Sequence, residues 1–127
     1  MPLSPPQILF VEDEEVVSLA VAAELGDLGI RVDVHNRAAQ ARAAFETTRY
    51  DAAIIDIGLP DARGDALARH ARGQYPHLPI VLATGMRGDE IAAGFADDPF
   101  VRVMEKPYDV AQLIAMLAEI ADANSPP

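Results

Sequence analysis

The sequence has no cysteine and no tryptophan, and it contains no long run of apolar residues. Without cysteine the chain can form no disulfide, no thiolate metal site and no cysteine nucleophile. Its first residues lack the basic and apolar regions of a secretory signal peptide, and no later stretch is apolar enough to cross a bilayer. We therefore expect a cytoplasmic protein with no membrane partner.

Positive charge is also scarce. Lys and Arg number 10 against 20 Asp and Glu, which gives a formal net charge of −10. A chain with this excess of acid repels the phosphate backbone of a nucleic acid. Nucleic-acid binding by this chain alone is therefore not expected.

Apolar residues, in contrast, are plentiful, at 50% of the 127 residues. This length and composition are typical of one domain with its own buried core. We expect a single domain over residues 1–127, with an ordered core from about residue 7 to about residue 121 and frayed ends.

Five short apolar runs alternate with longer amphipathic stretches. Three of the runs are almost wholly apolar, as in parallel strands covered on both faces, and the second alternates apolar with polar residues like an edge strand. Short runs can also be pieces of buried helix, but their β-branched content and regular spacing favour strands. The runs are 8–11, 31–35, 52–55, 80–83 and 101–104.

Local signals mark the ends of several helices between these runs. The first helix carries an apolar face that reaches Leu28, and Gly29 is placed to end it. Asn36 is a candidate cap for the second helix, and Asp109 with Gln112 resembles a capping box at the start of the fifth. Five βα units of this kind predict an α/β protein with a parallel sheet and helices on both faces.

Polar residues stand at or just beyond the ends of four of the apolar runs: Glu12 and Asp13, Asp56, Thr84 and, after Glu105, Lys106. Ligands of open parallel sheets bind at the carboxyl ends of the strands, so these residues are the candidates for a site. Three converging carboxylates repel one another unless a cation is present, and Mg²⁺ accepts carboxylate oxygens while leaving room for a phosphate. With a lysine and a hydroxyl nearby, the set is typical of phosphoryl transfer.

Four segments together resemble the signature blocks of response-regulator receiver domains: 10–14, 55–60, 83–85 and 105–107. They occur in the family's order and with matching gaps, and the resemblance covers nearly the whole chain. It implies a flavodoxin-like, doubly wound α/β fold with a five-stranded parallel sheet in the order 2-1-3-4-5 and five helices.

The resemblance also implies a role for each acid. Asp56 would accept the phosphoryl group, in a reaction that needs Mg²⁺, for which Mn²⁺ can substitute. Asp13, Asp56 and the backbone carbonyl of Gly58 would bind the ion directly, and Glu12 would act through a water molecule. Glu12 stands where Asp is common in the family, which should alter only the outer shell of the ion.

On the other side of the site, the resemblance assigns Thr84 and Lys106 to the phosphoryl oxygens, with a cis peptide bond before Pro107. Many receivers carry an aromatic residue in the fifth strand that turns inward on activation, but here the position is Val103. A short side chain that is stiff at χ1 cannot make that swing. We therefore expect the signal to pass through the loop 85–88 and the short helix that follows it.

The implied partners are a histidine kinase or histidine phosphotransfer protein upstream and a protein partner downstream, and a homodimer remains open. The chemistry would be self-catalysed on Asp56, so we do not expect an enzyme. The chain could also be the receiver of a hybrid histidine kinase, or a degenerate receiver that acts only as an interaction module. A dehalogenase-type phosphatase is disfavoured because its second aspartate would fall on Gly58. A nucleotide- or flavin-binding module is disfavoured because no glycine-rich loop follows the first strand.

Overall fold

The structure is a computed structural model that describes residues 5–124. Strands and helices alternate along the whole of this range, as the apolar runs predict. The five strands are β1 (Gln7–Val11), β2 (Arg31–His35), β3 (Ala52–Asp56), β4 (Ile80–Thr84) and β5 (Val101–Glu105). The five helices are α1 (Glu15–Asp27), α2 (Ala38–Thr47), α3 (Gly64–Gln74), α4 (Gly88–Ala93) and α5 (Val110–Ala123).

All five strands are parallel and lie in the order β2-β1-β3-β4-β5, which confirms the predicted fold. β3 and β4 are buried along their whole length, whereas the edge strand β2 is only half-buried. This difference explains why the second run alternates in sequence and the third and fourth do not. Because β1 and β3 are neighbours, the residues that end them meet at one edge of the sheet.

The sheet separates two apolar clusters. On one face, α1 and α5 cover the sheet with residues such as Leu25 and Leu113, and on the other, α2, α3 and α4 cover it with residues such as Phe45 and Leu67. No helix among residues 5–124 is long and apolar enough to span a membrane.

The first helix ends as predicted, and Val21 and Leu25 lie on its buried face as expected, but Leu28 does not. Gly29 has φ 84°, in the left-handed region that favours glycine, and the amide N–H of Ile30 closes the helix on the carbonyl of Leu25. Leu28 was expected on the buried face and is instead 63% exposed. It lies one residue beyond the last turn of α1, whereas the helix buries Ser18, whose hydroxyl is satisfied by the carbonyl of Glu15.

The expected Asn36 cap of the second helix is wrong. α2 begins one residue later than that cap requires, with Arg37 in the cap position and making no side-chain cap. The carboxylate of Asp61, from the loop after β3, instead accepts the amide N–H groups of Ala38 and Ala39 at 2.8 and 3.0 Å. A helix N-terminus needs acceptors for its free amides, and here a distant residue supplies them.

The last helix begins with the predicted cap. Asp109 and Gln112 form the predicted capping box, each side chain accepting the backbone amide of the other. The ordered core was expected to reach about residue 121, and α5 runs to Ala123. The Asn124 side chain then donates to the carbonyls of Ile120 and Pro99, which ties the helix end to the chain before β5. The predicted fraying concerns residues 1–4 and 125–127, which lie outside the described residues.

Candidate functional site

Three carboxylates converge where β1 and β3 end. Glu12 and Asp13 follow the last residue of β1, and Asp56 is the last residue of β3, so the pairing of the two strands sets them side by side. One carboxylate oxygen from each of the three acids lies within 4.8 Å of the others. Glu12 and Asp56 are buried, and Asp13 is exposed to solvent. The cluster is therefore closed on the protein side and open on one side to a small ligand.

Lys106 bridges the two buried acids from the end of β5. Its Nζ lies 3.0 Å from Oε1 of Glu12 and 3.2 Å from Oδ1 of Asp56. Its backbone amide donates to the carbonyl of Thr84 at 2.8 Å, which fixes the lysine to the end of β4. The peptide bond between Lys106 and Pro107 is cis. One ammonium group thus faces a cluster of three carboxylates.

The protonation of these groups is shifted by burial and by mutual charge. Burial raises the pKa of Glu12, and the nearby charge of Asp56 raises it further, against the opposing hydrogen bonds from the Glu14 amide and Lys106. For Lys106, burial acts to lower the pKa, but the hydrogen bond and the charges of Glu12 and Asp56 outweigh it, and the pKa is raised. The lysine is therefore charged at neutral pH, and the cluster still carries more negative charge than it can balance.

Thr84 lies at the same edge, but its hydroxyl is turned into its own loop. Its Oγ1 donates to the carbonyl of Met86 at 2.6 Å and accepts the amide N–H of the same residue at 3.3 Å. The side chain is buried. Both described hydrogen bonds of this hydroxyl are thus made within the β4–α4 loop (residues 85–87), not with the acids.

The β3–α3 loop (residues 57–63) is held tightly below Asp56. The amide of Gly58 donates to Oδ1 of Asp56 at 3.3 Å, and the amide of Gly64 donates to the carbonyl of Ile57 at 2.9 Å. A Cβ at Gly64 would overlap the backbone carbonyl of Asp56. The sequence marks Gly64 only as the start of a helix, so its close approach to Asp56 could not be predicted.

Tyr108 is a second residue near the site that the sequence pattern does not reveal. Its hydroxyl is buried and has no hydrogen-bond partner within the part of the chain that the structure describes. Burial, and then the negative charge of Glu12, raise its pKa to about 12. The only sequence signal for it is its position two residues after Lys106.

Val103, which replaces the usual aromatic residue, lies half-buried in β5 opposite Leu82. It packs against the cluster that also holds Ile91 and Phe95 of the α4 region. The three histidines take no part in the acid cluster. That cluster is the one candidate group of metal ligands among residues 5–124.

Comparison with known proteins shows to which protein family the chain belongs. Residues 8–118 match the family described as the response regulator receiver domain. The match covers most of the chain and includes all five strands except the first residue of β1. The chain belongs to this family, whose members are receiver domains of response regulators or of hybrid kinases.

Individual relatives agree with this assignment. The chain is 29% identical over 123 residues to the virulence transcriptional regulatory protein PhoP of Salmonella typhimurium, covering 94% of this chain and 53% of that protein. It is 33% identical over 131 residues to the aerobic respiration control sensor protein ArcB of Escherichia coli, covering 98% of this chain and 16% of that protein. The chain thus spans about half, or less, of the length of these curated relatives.

A solved structure supports the same class. The response regulator receiver protein from Sinorhizobium medicae superposes with a TM-score of 0.82 at 28% identity, covering 98% of this chain and all of that one.

Proposed function

We propose that this chain accepts a phosphoryl group on Asp56 from a histidine kinase or a histidine phosphotransfer protein, in a reaction that depends on Mg²⁺. The observation that carries the proposal is the meeting of Glu12, Asp13 and Asp56 within 4.8 Å, with the Lys106 ammonium 3.2 Å from Asp56. Such a set can bind a hard cation and neutralise a transferring phosphoryl group.

The donor set fits a magnesium ion. All the available ligands are oxygens, the cluster has a surplus of negative charge, and Asp13 is open to solvent. Asp13, Asp56 and the carbonyl of Gly58 would bind the ion, with Glu12 acting through water, and Mn²⁺ would serve in its place. When bound, the ion would supply positive charge that draws the phosphoryl oxygens to the site.

Each residue of the site then has its own role in the phosphoryl transfer. An oxygen of Asp56 attacks phosphorus, a P–O bond forms as the P–N bond of a phosphohistidine breaks, and the electron pair returns to the imidazole nitrogen. Lys106 balances the charge on the phosphoryl oxygens. Thr84 must turn its hydroxyl away from the Met86 carbonyl before it can donate to the same group. The β3–α3 loop holds the backbone of Asp56 in place during the transfer.

This chemistry changes only the chain's own aspartate, so we do not propose an enzyme acting on a separate substrate. We propose that residues 1–127 act as one receiver domain in the cytoplasm and signal through a downstream protein. The similarity to ArcB, a sensor protein, also supports a second possibility, in which the domain serves within a hybrid kinase.

The test is intact-protein mass spectrometry after incubation with acetyl phosphate and Mg²⁺. Wild type should gain the mass of one phosphoryl group, and the gain should disappear in chelator and return with Mn²⁺. Asp56→Asn, which keeps size and shape but removes the nucleophile, is the matched control and should stay unlabelled. Equal labelling of the two proteins would exclude Asp56 as the acceptor, and an absence of labelling in wild type would favour the interaction-only receiver.

A further inference from the structure

Two grooves lie side by side between α3 and the α4 region, and Arg69 lines both of them. The first has a volume of about 620 Å³ and also has Arg63 and Arg87 in its walls, and we call it the arginine groove. The second has a volume of about 580 Å³ and is lined by Phe95 and Phe100, and we call it the phenylalanine groove. The Arg69 side chain therefore stands at the border between a charged and an aromatic recess.

The arginine groove has a surplus of positive charge in a chain that is otherwise strongly acidic. Among the described residues, its walls carry three arginines and two acids, whereas the whole chain has 10 Lys and Arg residues against 20 Asp and Glu. Both acids already have a partner. The Asp65 carboxylate accepts Nε and Nη2 of Arg63 at 3.1 and 3.3 Å. Glu90 lies 3.5 Å from Nη1 of Arg87. The positive charge that these two pairs leave in the groove is that of Arg69.

The guanidinium of Arg69 is held in place by packing, yet it has no hydrogen-bonded acceptor within residues 5–124. Its Cζ lies 4.6 Å from the centre of the Phe95 ring, a cation–π contact. The backbone of Gly94 is also close, since a Cβ on Gly94 would lie 3.2 Å from Nη2. The nearest described carboxylate oxygen, Oδ2 of Asp65, is 3.7 Å from Nη1, which is beyond hydrogen-bond distance. The donors of Arg69 are therefore positioned and free to bind a ligand.

Arg72, three residues further along α3, is an arginine whose role is fully explained by the fold. Its guanidinium also lies near a ring, that of Phe100, at 5.9 Å from the ring centre. Its Nε and Nη2 donate to the carboxylate of Asp98 at 2.7 and 3.3 Å, and its Nη1 donates to the carbonyl of Tyr75 at 2.8 Å. The described part of the chain thus gives every guanidinium nitrogen of Arg72 an acceptor and gives Arg69 none.

We propose that the two grooves together form a docking site for an acidic segment of a partner protein, with a carboxylate of the segment bound to Arg69 and an apolar side chain in the phenylalanine groove. A guanidinium can bind a carboxylate through two parallel N–H···O bonds. A guanidinium that packing already holds in place loses little conformational freedom when it binds. This inference goes beyond the phosphoryl transfer proposed above, because neither groove includes Asp56.

The charges around the phenylalanine groove restrict the kind of segment that fits. Asp97 is exposed at its wall and would repel a second carboxylate placed there, so the segment needs an apolar side chain beside its acid. A nucleic acid presents phosphates at regular intervals, and both Asp97 and the net charge of −10 oppose it. A protein segment with one acidic and one apolar side chain is therefore the occupant that the grooves favour.

The first experiment titrates the full chain with the peptide Ser-Gly-Glu-Ser-Phe-Ser-Gly, with blocked termini, and with a control peptide that has Gln in place of Glu. NMR spectra are recorded without Mg²⁺ or a phosphoryl donor. The glutamate peptide should bind with a Kd below about 1 mM and shift the Nε–Hε signal of Arg69 and the ring signals of Phe95. The glutamine peptide should bind about tenfold more weakly, because it lacks the charge-assisted hydrogen bonds. Absence of binding, equal binding of the two peptides, or shifts confined to other surfaces would overturn the docking site.

Three variants separate Arg69 from positive charge in general. The Arg69 side chain is 55% exposed, so its replacement should leave the fold intact. Arg69→Gln should weaken binding of the glutamate peptide about tenfold. Arg42→Gln, which removes the same charge from an exposed position on α2, should change it by less than about twofold. Arg69→Lys keeps the charge without the planar fork, and its affinity should fall between those of wild type and Arg69→Gln.

The same variants can also contradict the proposal. Equal weakening by Arg69→Gln and Arg42→Gln, or binding by Arg69→Lys as tight as that of wild type, would mean that charge alone attracts the peptide. Asp56→Asn should bind the peptide within about twofold of wild type, and a loss of binding in this variant would place the peptide at the acid cluster instead. Because no phosphoryl donor is present, a failure of Asp56 to accept a phosphoryl group would leave these results unchanged.

Discussion

Two loops border the candidate site, and they are held in different ways. The β3–α3 loop, residues 57–63, buries two of its own side chains, Ile57 and Leu59, and is fixed at its end by the close packing of Gly64 under Asp56. The β4–α4 loop, residues 85–87, is exposed throughout, and the Thr84 hydroxyl is hydrogen-bonded to the Met86 backbone within it.

The difference corresponds to the work we propose for each loop. A nucleophile must stay within a few tenths of an ångström of its reacting position, and apolar packing with backbone hydrogen bonds provides that stiffness. A switch needs two arrangements of similar energy, and a loop with few contacts provides them. If the β3–α3 loop is held by packing and the β4–α4 loop is not, substitutions in the two loops should differ strongly in their effect on stability.

The largest effect should come from Gly64→Ala. The new Cβ would overlap the carbonyl of Asp56. The carbonyl is a backbone atom and the Cβ is attached directly to the backbone of α3, so relieving the overlap requires a shift of the main chain. We expect a loss of about 3 kcal/mol in the free energy of unfolding, measured by urea denaturation. Gly73→Ala is the matched control, since Gly73 lies in the same helix and an added methyl group there would meet nothing within 4 Å, and it should gain roughly 0.5–1 kcal/mol. Equal effects of the two changes would contradict the close approach.

A matched pair of truncations compares the loops themselves. Leu59→Ala removes a buried side chain from the β3–α3 loop and should cost about 2–3 kcal/mol in the free energy of unfolding. Met86→Ala removes a side chain that is 71% exposed and should change it by less than about 0.5 kcal/mol. Urea denaturation of both proteins measures the difference, and a cost for Met86→Ala close to that of Leu59→Ala would mean that the β4–α4 loop is also packed.

Asp61→Ala should loosen the outer end of the β3–α3 loop. It removes both acceptors of the α2 amides and should lower the melting temperature by a few degrees, while Asp61→Asn, which keeps one acceptor oxygen, should lower it less.

The Asp61 effect should also depend on pH in a defined direction. Hydrogen bonds from the amides of Ala39 and Ala38 lower the pKa of Asp61. The charged carboxylate is therefore more favourable in the folded protein than in the unfolded chain. The charge of Asp61 stabilises the folded protein fully when the pH is above the ordinary pKa of an aspartate. This stabilisation is lost as the pH falls through the lowered pKa of Asp61. The difference in melting temperature between wild type and Asp61→Ala should therefore narrow between about pH 7 and about pH 3. A constant difference would show that the charge of Asp61 does not matter.

The smallest effect concerns charge rather than packing. Asp13 has no ion pair among those described within residues 5–124, whereas Asp56 is paired with Lys106. In chelator, Asp13→Asn should therefore raise the free energy of unfolding by on the order of 1 kcal/mol, because it relieves repulsion in the acid cluster. Mg²⁺ should then stabilise wild type more than the variant in thermal melts. A variant that is less stable than wild type in chelator would show that the carboxylates do not repel one another as we infer.

The elements that could be predicted from sequence are those with a local cause. Apolar runs of the right length become the five strands, Gly29 ends the first helix, and Asp109 and Gln112 cap the last one, since each depends on neighbours within a few residues. The acids after the first and third runs could also be placed together, because parallel strands bring their carboxyl ends to one edge. Leu28 was misplaced because helical spacing does not show where the last turn ends.

The sequence by itself therefore determined the fold class and the membership of the acid cluster, through patterns that repeat over short distances along the chain. Only the tertiary structure decided that Asp61 caps a helix more than twenty residues before it, that Gly64 packs closely against the backbone of Asp56, and that the Thr84 hydroxyl is hydrogen-bonded to Met86. These features depend on the approach of segments that are separate in the chain, or on a choice between several partners for one hydroxyl. A local pattern contains no information about either, because the energies that decide them arise only when the sheet and its loops are packed together.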